Sequence, residues 1–121
     1  MPEFVIRIHN AERAGLHTDL HLQSDERVYK SWVLKKGMPT TKGVKHLAVA
    51  TYDHTSEDAR TNGRIAEGYG KGTTEVVDEG EFIPKRWTNS FIEARLIGST
   101  FNGTWYMRRI GDKQWLCWKA S

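Results

Sequence analysis

Within "LHTDLHLQ" (residues 16–23), His17, Asp19 and His21 fall at every second position. Strand side chains alternate between faces, so these three would project as one stripe. The preceding "FVIRIH" (residues 4–9) sets Phe4, Ile6 and Ile8 on one parity and Val5, Arg7 and His9 on the other. Between them "NAERAG" has the glycine and polar residues of a hairpin loop. An antiparallel hairpin then brings His9 near His17 across the ladder. Imidazoles and a carboxylate converging on one face suit a divalent metal with open positions, with manganese, zinc and iron(II) all compatible. The same stripe equally suits the polar face of a half-buried strand.

The other two histidines bound "HLAVATYDH", which opens on His46 and closes on Asp53–His54 as a strand runs into a long loop. A histidine at such a place, beside a metal, suits a general acid or an anion-stabilising group. Asp53 also suits a turn cap, and His54 an exposed loop position. "LKKGMPTTKGVK" carries Lys35, Lys36, Lys42 and Lys45 with no acid among them. That loop could follow a phosphate backbone or simply be solvated. "EGYGKG" (67–72) lacks the Gly-Lys-Ser/Thr ending of a phosphate-binding P-loop. Its Tyr69 suits either stacking on a base or sugar or packing on a rim.

These residues need elements to hold them. Besides the first two segments, "RVYKSWVL", "HLAVATY", "TTEVVDEGEFIP", "TWYMRRI" and "QWLCWK" read as short strands between turn signals. "NSFIEARLIG" fits a short helix or a strand, and "TSEDARTNG" one helical turn. The longest polar, glycine-rich connection runs from 55 to 72. The fold expected is mostly β: a small closed or nearly closed antiparallel barrel with at most short helical turns, as one domain over 1–121. Trp32, Trp87, Trp105, Tyr106, Trp115 and Trp118 are expected in its core and rim. Cys117, the one cysteine, excludes an internal disulfide and is expected to be a buried apolar residue. A formal net charge of +3 is too modest to identify a nucleic-acid binder alone. With no signal-like or membrane-length apolar run, the expectation is a soluble cytoplasmic protein without membrane contact.

The order "FVIRIH…LHTDLHLQ", "KSWVLKKG", "HLAVATYDH", "GRIAEGYGKGTTEVVDEG" and "GTWYMRRI…KQWLCWK" resembles the 3′-phosphoesterase domain of bacterial ligase D, which also occurs free-standing. The resemblance covers nearly the whole chain. It implies a metal-dependent β-barrel, typically manganese-using, that resects DNA 3′ ends in break repair. Such domains remove a terminal ribonucleoside and hydrolyse the 3′-phosphate left behind. Transferred to this chain, it implies His9, His17 and Asp19 as metal ligands, His54 on the scissile phosphate, and Lys36 near the substrate. It also implies DNA or RNA-tipped 3′ ends as substrates, ligase or polymerase repair partners, a nucleoid-associated location and action as a monomer.

The chain departs from the family pattern at several points. The spacing from His9 to His17 is longer than usual. His21 and His46 stand where the family carries arginine, Tyr52 where it carries glutamate, and Thr55 where it carries proline. The family's tyrosine near Asp58 is missing. Histidine offers phosphate a charge only when protonated. The expectation is that His21 and His46 act with His54, and that phosphate binding weakens as pH rises through the imidazole range. Two other readings share these residues: a non-catalytic DNA-end-binding or adaptor module of the same fold, and an iron(II) oxygenase built on the His-x-Asp pair plus a distant histidine.

Overall fold

The structure, a computed structural model, describes residues 1–65 and 71–121. Among these, nine strands form one antiparallel sheet: β1 (Glu3–Ala11), β2 (Gly15–Asp25), β3 (Val28–Leu34), β4 (Lys45–His54), β5 (Gly63–Ile65), β6 (Gly72–Trp87), β7 (Phe91–Ile97), β8 (Asn102–Arg109) and β9 (Gln114–Lys119). The order is β1-β2-β3-β4-β9-β8-β7-β6, and pairing of β1 with β6 closes these into a barrel. The short β5 pairs with β6 at its margin. One helical turn, α1 (Ser56–Ala59), is capped by the Thr55 side chain, which accepts from the Asp58 amide. The expected closed barrel with minimal helix is what forms, and the ambiguous segment around 89–98 is strand β7.

The sequence periods explain the two faces. Inward positions carry Phe4, Ile6, Leu20, Leu22, Trp32, Leu34, Phe82, Leu96, Trp105 and Trp115, packed as one core. Cys117 lies among them, and burial pushes its thiol up to about 12, which leaves it inert as a nucleophile. Of the aromatics expected in core and rim, Trp32, Trp105 and Trp115 are buried in the core. Trp87 is half-buried, and Tyr106 and Trp118 stand half-buried on the outer wall, at alternating positions with buried Met107 and Cys117.

The outer face of β1–β3 is also largely buried, which a simple inside–outside alternation does not anticipate. Val5 and Tyr29 pack there against Ala59 of α1. Arg60 ties this cover down, donating to Glu3 at 2.8 Å and Glu79 at 3.0 Å while its guanidinium lies 5.5 Å from the Tyr29 ring centre. The polar stripe of β1 and β2 therefore faces a partly roofed recess rather than open water.

Candidate metal centre and phosphate groove

The β1–β2 ladder pairs His9 directly with His17 and Arg7 with Asp19, as the hairpin reading anticipates for the two histidines. The longer loop is absorbed by a turn ending at Gly15, whose φ of 77° favours glycine. The ligating atoms of His9, His17 and Asp19 lie within 4.8 Å of one another, and all three residues are buried. His17 Nε2 approaches Asp19 Oδ1 at 2.9 Å, and His9 Nδ1 approaches Oδ2 at 3.2 Å. The Gly15 carbonyl accepts from His17 Nδ1 at 3.1 Å, an anchor that leaves Nε2 aimed at the carboxylate. Burial works to raise the Asp19 pKa, but the His17 hydrogen bond and charge, with Arg7 behind them, bring it down to about 2. The result is an ionised carboxylate between two imidazoles, a donor set that fits a borderline divalent metal such as Mn²⁺ or Zn²⁺.

Arg7 is a member of this site to which the sequence reading gave no role, although it shares the stripe parity. It is buried, its Nε donates to Asp19 Oδ2 at 3.0 Å, and its Nη1 donates to the Asp58 carbonyl at 2.7 Å. Its guanidinium thus fixes the carboxylate and places a permanent positive charge on the groove wall.

His54 reaches the same face through an irregularity. Ser31 pairs with Thr51 and Tyr29 with His54, so β4 carries one extra residue between the two pairs. Strict alternation would turn His54 to the opposite face from Thr51; this bulge returns it to the outer face. The Ser31 hydroxyl sits 2.8 Å from His54 Nδ1, 2.6 Å from His21 Nδ1 and 3.2 Å from the Tyr29 carbonyl. A hydroxyl has one proton. Donation to Tyr29 lets Oγ accept from both rings, and this pattern assigns an unprotonated Nε2 to each. His54 Nε2 lies 3.7 Å from Asp58 Oδ2, and Tyr52 stacks on the ring at 4.4 Å. Burial lowers the His54 pKa, with Asp58 opposing.

His21 does not supply the charge expected of it. Its side chain is fully buried beneath Ser31 and edge-on to His54 at 4.7 Å, and its Nε2 has no partner among the described residues. Burial, reinforced by Arg7 and His54, holds its pKa down to about 3, so it is neutral at physiological pH. His46 is separated from His54 instead of joining it. The two occupy opposite ends of β4, on the order of 25 Å of extended strand. His46 donates from Nδ1 to the Gly37 carbonyl at 2.8 Å and borders the lysine end of the groove. The cap of α1 is Thr55 rather than Asp53, which pairs with Lys30 at 3.0 Å. Tyr69 lies outside the described residues.

One groove of about 710 Å³ lies on the outer face of β1–β4. His9, His17, Asp19, Arg7 and His54 border it, and so do Lys35, Lys36, Lys45 and Lys113. Lys35 and Lys36 are the two central residues of the tight turn in which the Gly37 amide, at φ 80°, donates to the Leu34 carbonyl. A trough with a metal-type cluster in one wall and several cations around it suits an anionic phosphoester. Among the described residues, no helix is long and apolar enough to cross a membrane.

The comparisons with known proteins agree with this chemistry. The DNA ligase D 3′-phosphoesterase domain matches residues 7–109. The multifunctional non-homologous end joining DNA repair protein LigD of Mycobacterium tuberculosis is 32% identical over 118 residues, covering 93% of this chain and 15% of that protein. The multifunctional non-homologous end joining protein LigD of Pseudomonas aeruginosa is 32% identical over 127 residues, covering 97% of this chain and again 15% of its own length. The chain spans about 15% of the length of these relatives. With the match running from Arg7 to Arg109, from β1 to the end of β8, the chain belongs to the ligase D 3′-phosphoesterase domain family.

Proposed function

We propose that this protein is a metal-dependent phosphoesterase that processes DNA 3′ ends during non-homologous end joining. It would hydrolyse a 3′-phosphate and remove a terminal 3′-ribonucleoside. The observation that carries the reading is the buried His9–His17–Asp19 cluster opening into a groove bordered by Arg7, His54 and four lysines. Family membership and the end-joining names of the relatives support it.

His9, His17 and Asp19 would hold the divalent cation, Mn²⁺ foremost. Bound there, it would supply Lewis-acid stabilisation of charge on a phosphate oxygen. Arg7 keeps Asp19 ionised and oriented, and its own charge offsets the charge that grows on the phosphoryl group. Ser31 holds His54 by Nδ1, which leaves Nε2 for the substrate. An arriving phosphate opposes the depression of the His54 pKa, so the imidazole would take up a proton and, as a water oxygen bonds to phosphorus and the ester bond breaks, deliver it to the departing oxygen. Lys35, Lys36 and Lys45 would seat the strand backbone, with Tyr69 a further contact proposed for a base or sugar. His46 would act as a binding group at the lysine end, and His21 as a support for His54 through Ser31. The protein would act as a monomer on DNA or RNA-tipped ends beside a repair ligase or polymerase, at the nucleoid.

A non-catalytic end-binding module is the second reading, favoured by neutral His21 at a position where the family carries arginine. The same donors suit an iron(II) facial triad, but nothing beyond the donors supports that reading. A gel assay separates the first two. Purified protein with Mn²⁺ is given duplex primers ending in a 3′-phosphate or a single 3′-ribonucleotide, with His17→Ala as control. Conversion that is lost in the variant supports the phosphoesterase. Metal-independent binding with no conversion at any pH or metal tested overturns it.

A further inference from the structure

Beyond the groove, the barrel wall of β9, β8 and β7 carries three aromatic rings on its solvent side: Trp118, Tyr106 and Phe91. They form one contiguous set, with Tyr106–Trp118 centres 5.6 Å apart and Phe91–Tyr106 centres 5.5 Å apart. Cations lie over both ends. Lys45 Nζ is 5.0 Å from the Trp118 ring centre, while the Arg86 and Arg108 guanidinium carbons are 5.1 and 5.7 Å from that of Phe91. One acid, Glu93, pairs in register with Tyr106. The wall is continuous with the groove, because Lys45 both borders the groove and sits opposite Trp118 in the β4–β9 ladder.

We infer that this wall is a track for an unpaired strand at the processed DNA end, taking its bases on the aromatic rings and its phosphates on Lys45, Arg108 and Arg86. The inference rests on the reading of the groove as the 3′-end site. From β4 to β7 the track crosses three strand spacings, about 14 Å, or roughly four nucleotides at duplex rise. Rings interleaved with cations are the recurring chemistry of sequence-tolerant single-strand binding. A protein-docking core would be depleted of charge overall, whereas here three cations lie over the two end rings, Trp118 and Phe91, and flank Tyr106.

The test measures binding rather than turnover. Fluorescence anisotropy is recorded in chelator with labelled 3′-hydroxyl oligonucleotides of about 4 and about 12 nucleotides, lengths at the two sides of the track. The expected result is tighter binding of the longer strand. Most of that gain, about tenfold or more, should vanish in Trp118→Ala/Tyr106→Ala, with the short strand unaffected. Because those rings also pack, the exposed pair Arg86→Gln/Arg108→Gln serves as a second variant. It should lower the salt slope of the longer strand by about 0.7 per removed contact. No length-dependent gain, or wild-type binding of the longer strand by the arginine variant, overturns the track. The same preparations are assayed for 3′ conversion with Mn²⁺. Lost length dependence with intact conversion defeats the track alone, and length-dependent binding without conversion defeats the phosphoesterase reading alone.

Discussion

Two aspartates of this barrel are equally hidden, Asp19 at 5% and Asp78 at 7% exposure, yet their surroundings differ in kind. Asp19 is held by side chains: Arg7, His9 and His17. Asp78 is held by backbone: its oxygens accept from the amides of Glu79, Ser99, Thr100 and Phe101 at 2.7–3.2 Å, closing the turn between β7 and β8. Imidazoles can rotate or exchange a proton for a metal. Amides in a closed turn can do neither. Burial of a carboxylate therefore does not mark a reactive centre; the mobility and ligating power of its partners do.

The largest expected effect separates the two on activity. Asp19→Asn should lower Mn²⁺-dependent 3′ processing by on the order of a thousandfold, read in the gel assay, while Asp78→Asn leaves turnover per folded molecule near wild type. Equal losses from both would erase the distinction. On stability the order reverses. Asp78→Ala leaves amides of a partly buried turn without acceptors and should cost about 2–4 kcal/mol. That appears as a fall in Tm of roughly 10 °C or more by circular dichroism.

Metal linkage sharpens the comparison further. Mn²⁺ at a hundred times its Kd should stabilise the wild type by about 2.7 kcal/mol. Asp78→Ala should keep that increment from its lower baseline, and Asp19→Asn should lose it. Differential scanning fluorimetry with and without chelator reads both.

The smallest effect is acid sensitivity of the metal-free protein. His21 sits near 3 when folded against an ordinary 6.5. The unfolded chain therefore binds the extra proton first as pH falls. The stability associated with neutral His21 is complete above about pH 6.5 and is lost progressively toward pH 3. Asp19, at about 2 when folded, adds a second loss in the same direction that begins only below about pH 4. His21→Gln should make the Tm profile shallower between pH 6.5 and 4.5, where buried His54 contributes the rest, and leave the lower limb. An unchanged upper limb would show that His21 is not the group titrating.

Much of the site was legible in the residues. A period of two put His9, His17 and Asp19 on one parity, and a single hairpin sufficed to join them, so sequence separation and spatial separation matched. Lys36 sat in an acid-free lysine loop and in the Lys-Gly block of the resemblance, and it lines the groove. Arg7 was visible on the stripe, but its role depends on pairing in register with Asp19 and on the carbonyl of Asp58 from another element. Ser31 lay unremarked in "KSW" because a lone hydroxyl carries no spacing signal. His46 and His54 bounded one segment and were expected to act together; the length of β4 sets them apart.

The chain by itself determined the strands, their inward faces, the β1–β2 register and the donor set, since alternation and turn chemistry are local. Only the tertiary structure decided that the polar stripe would be roofed by α1, that a bulge would turn His54 onto it, that His21 would be neutral and that Asp78 would serve a turn. Each of these depends on groups distant in sequence coming within a few ångströms. Burial, and with it the charge a side chain can carry, is a property of that assembled neighbourhood.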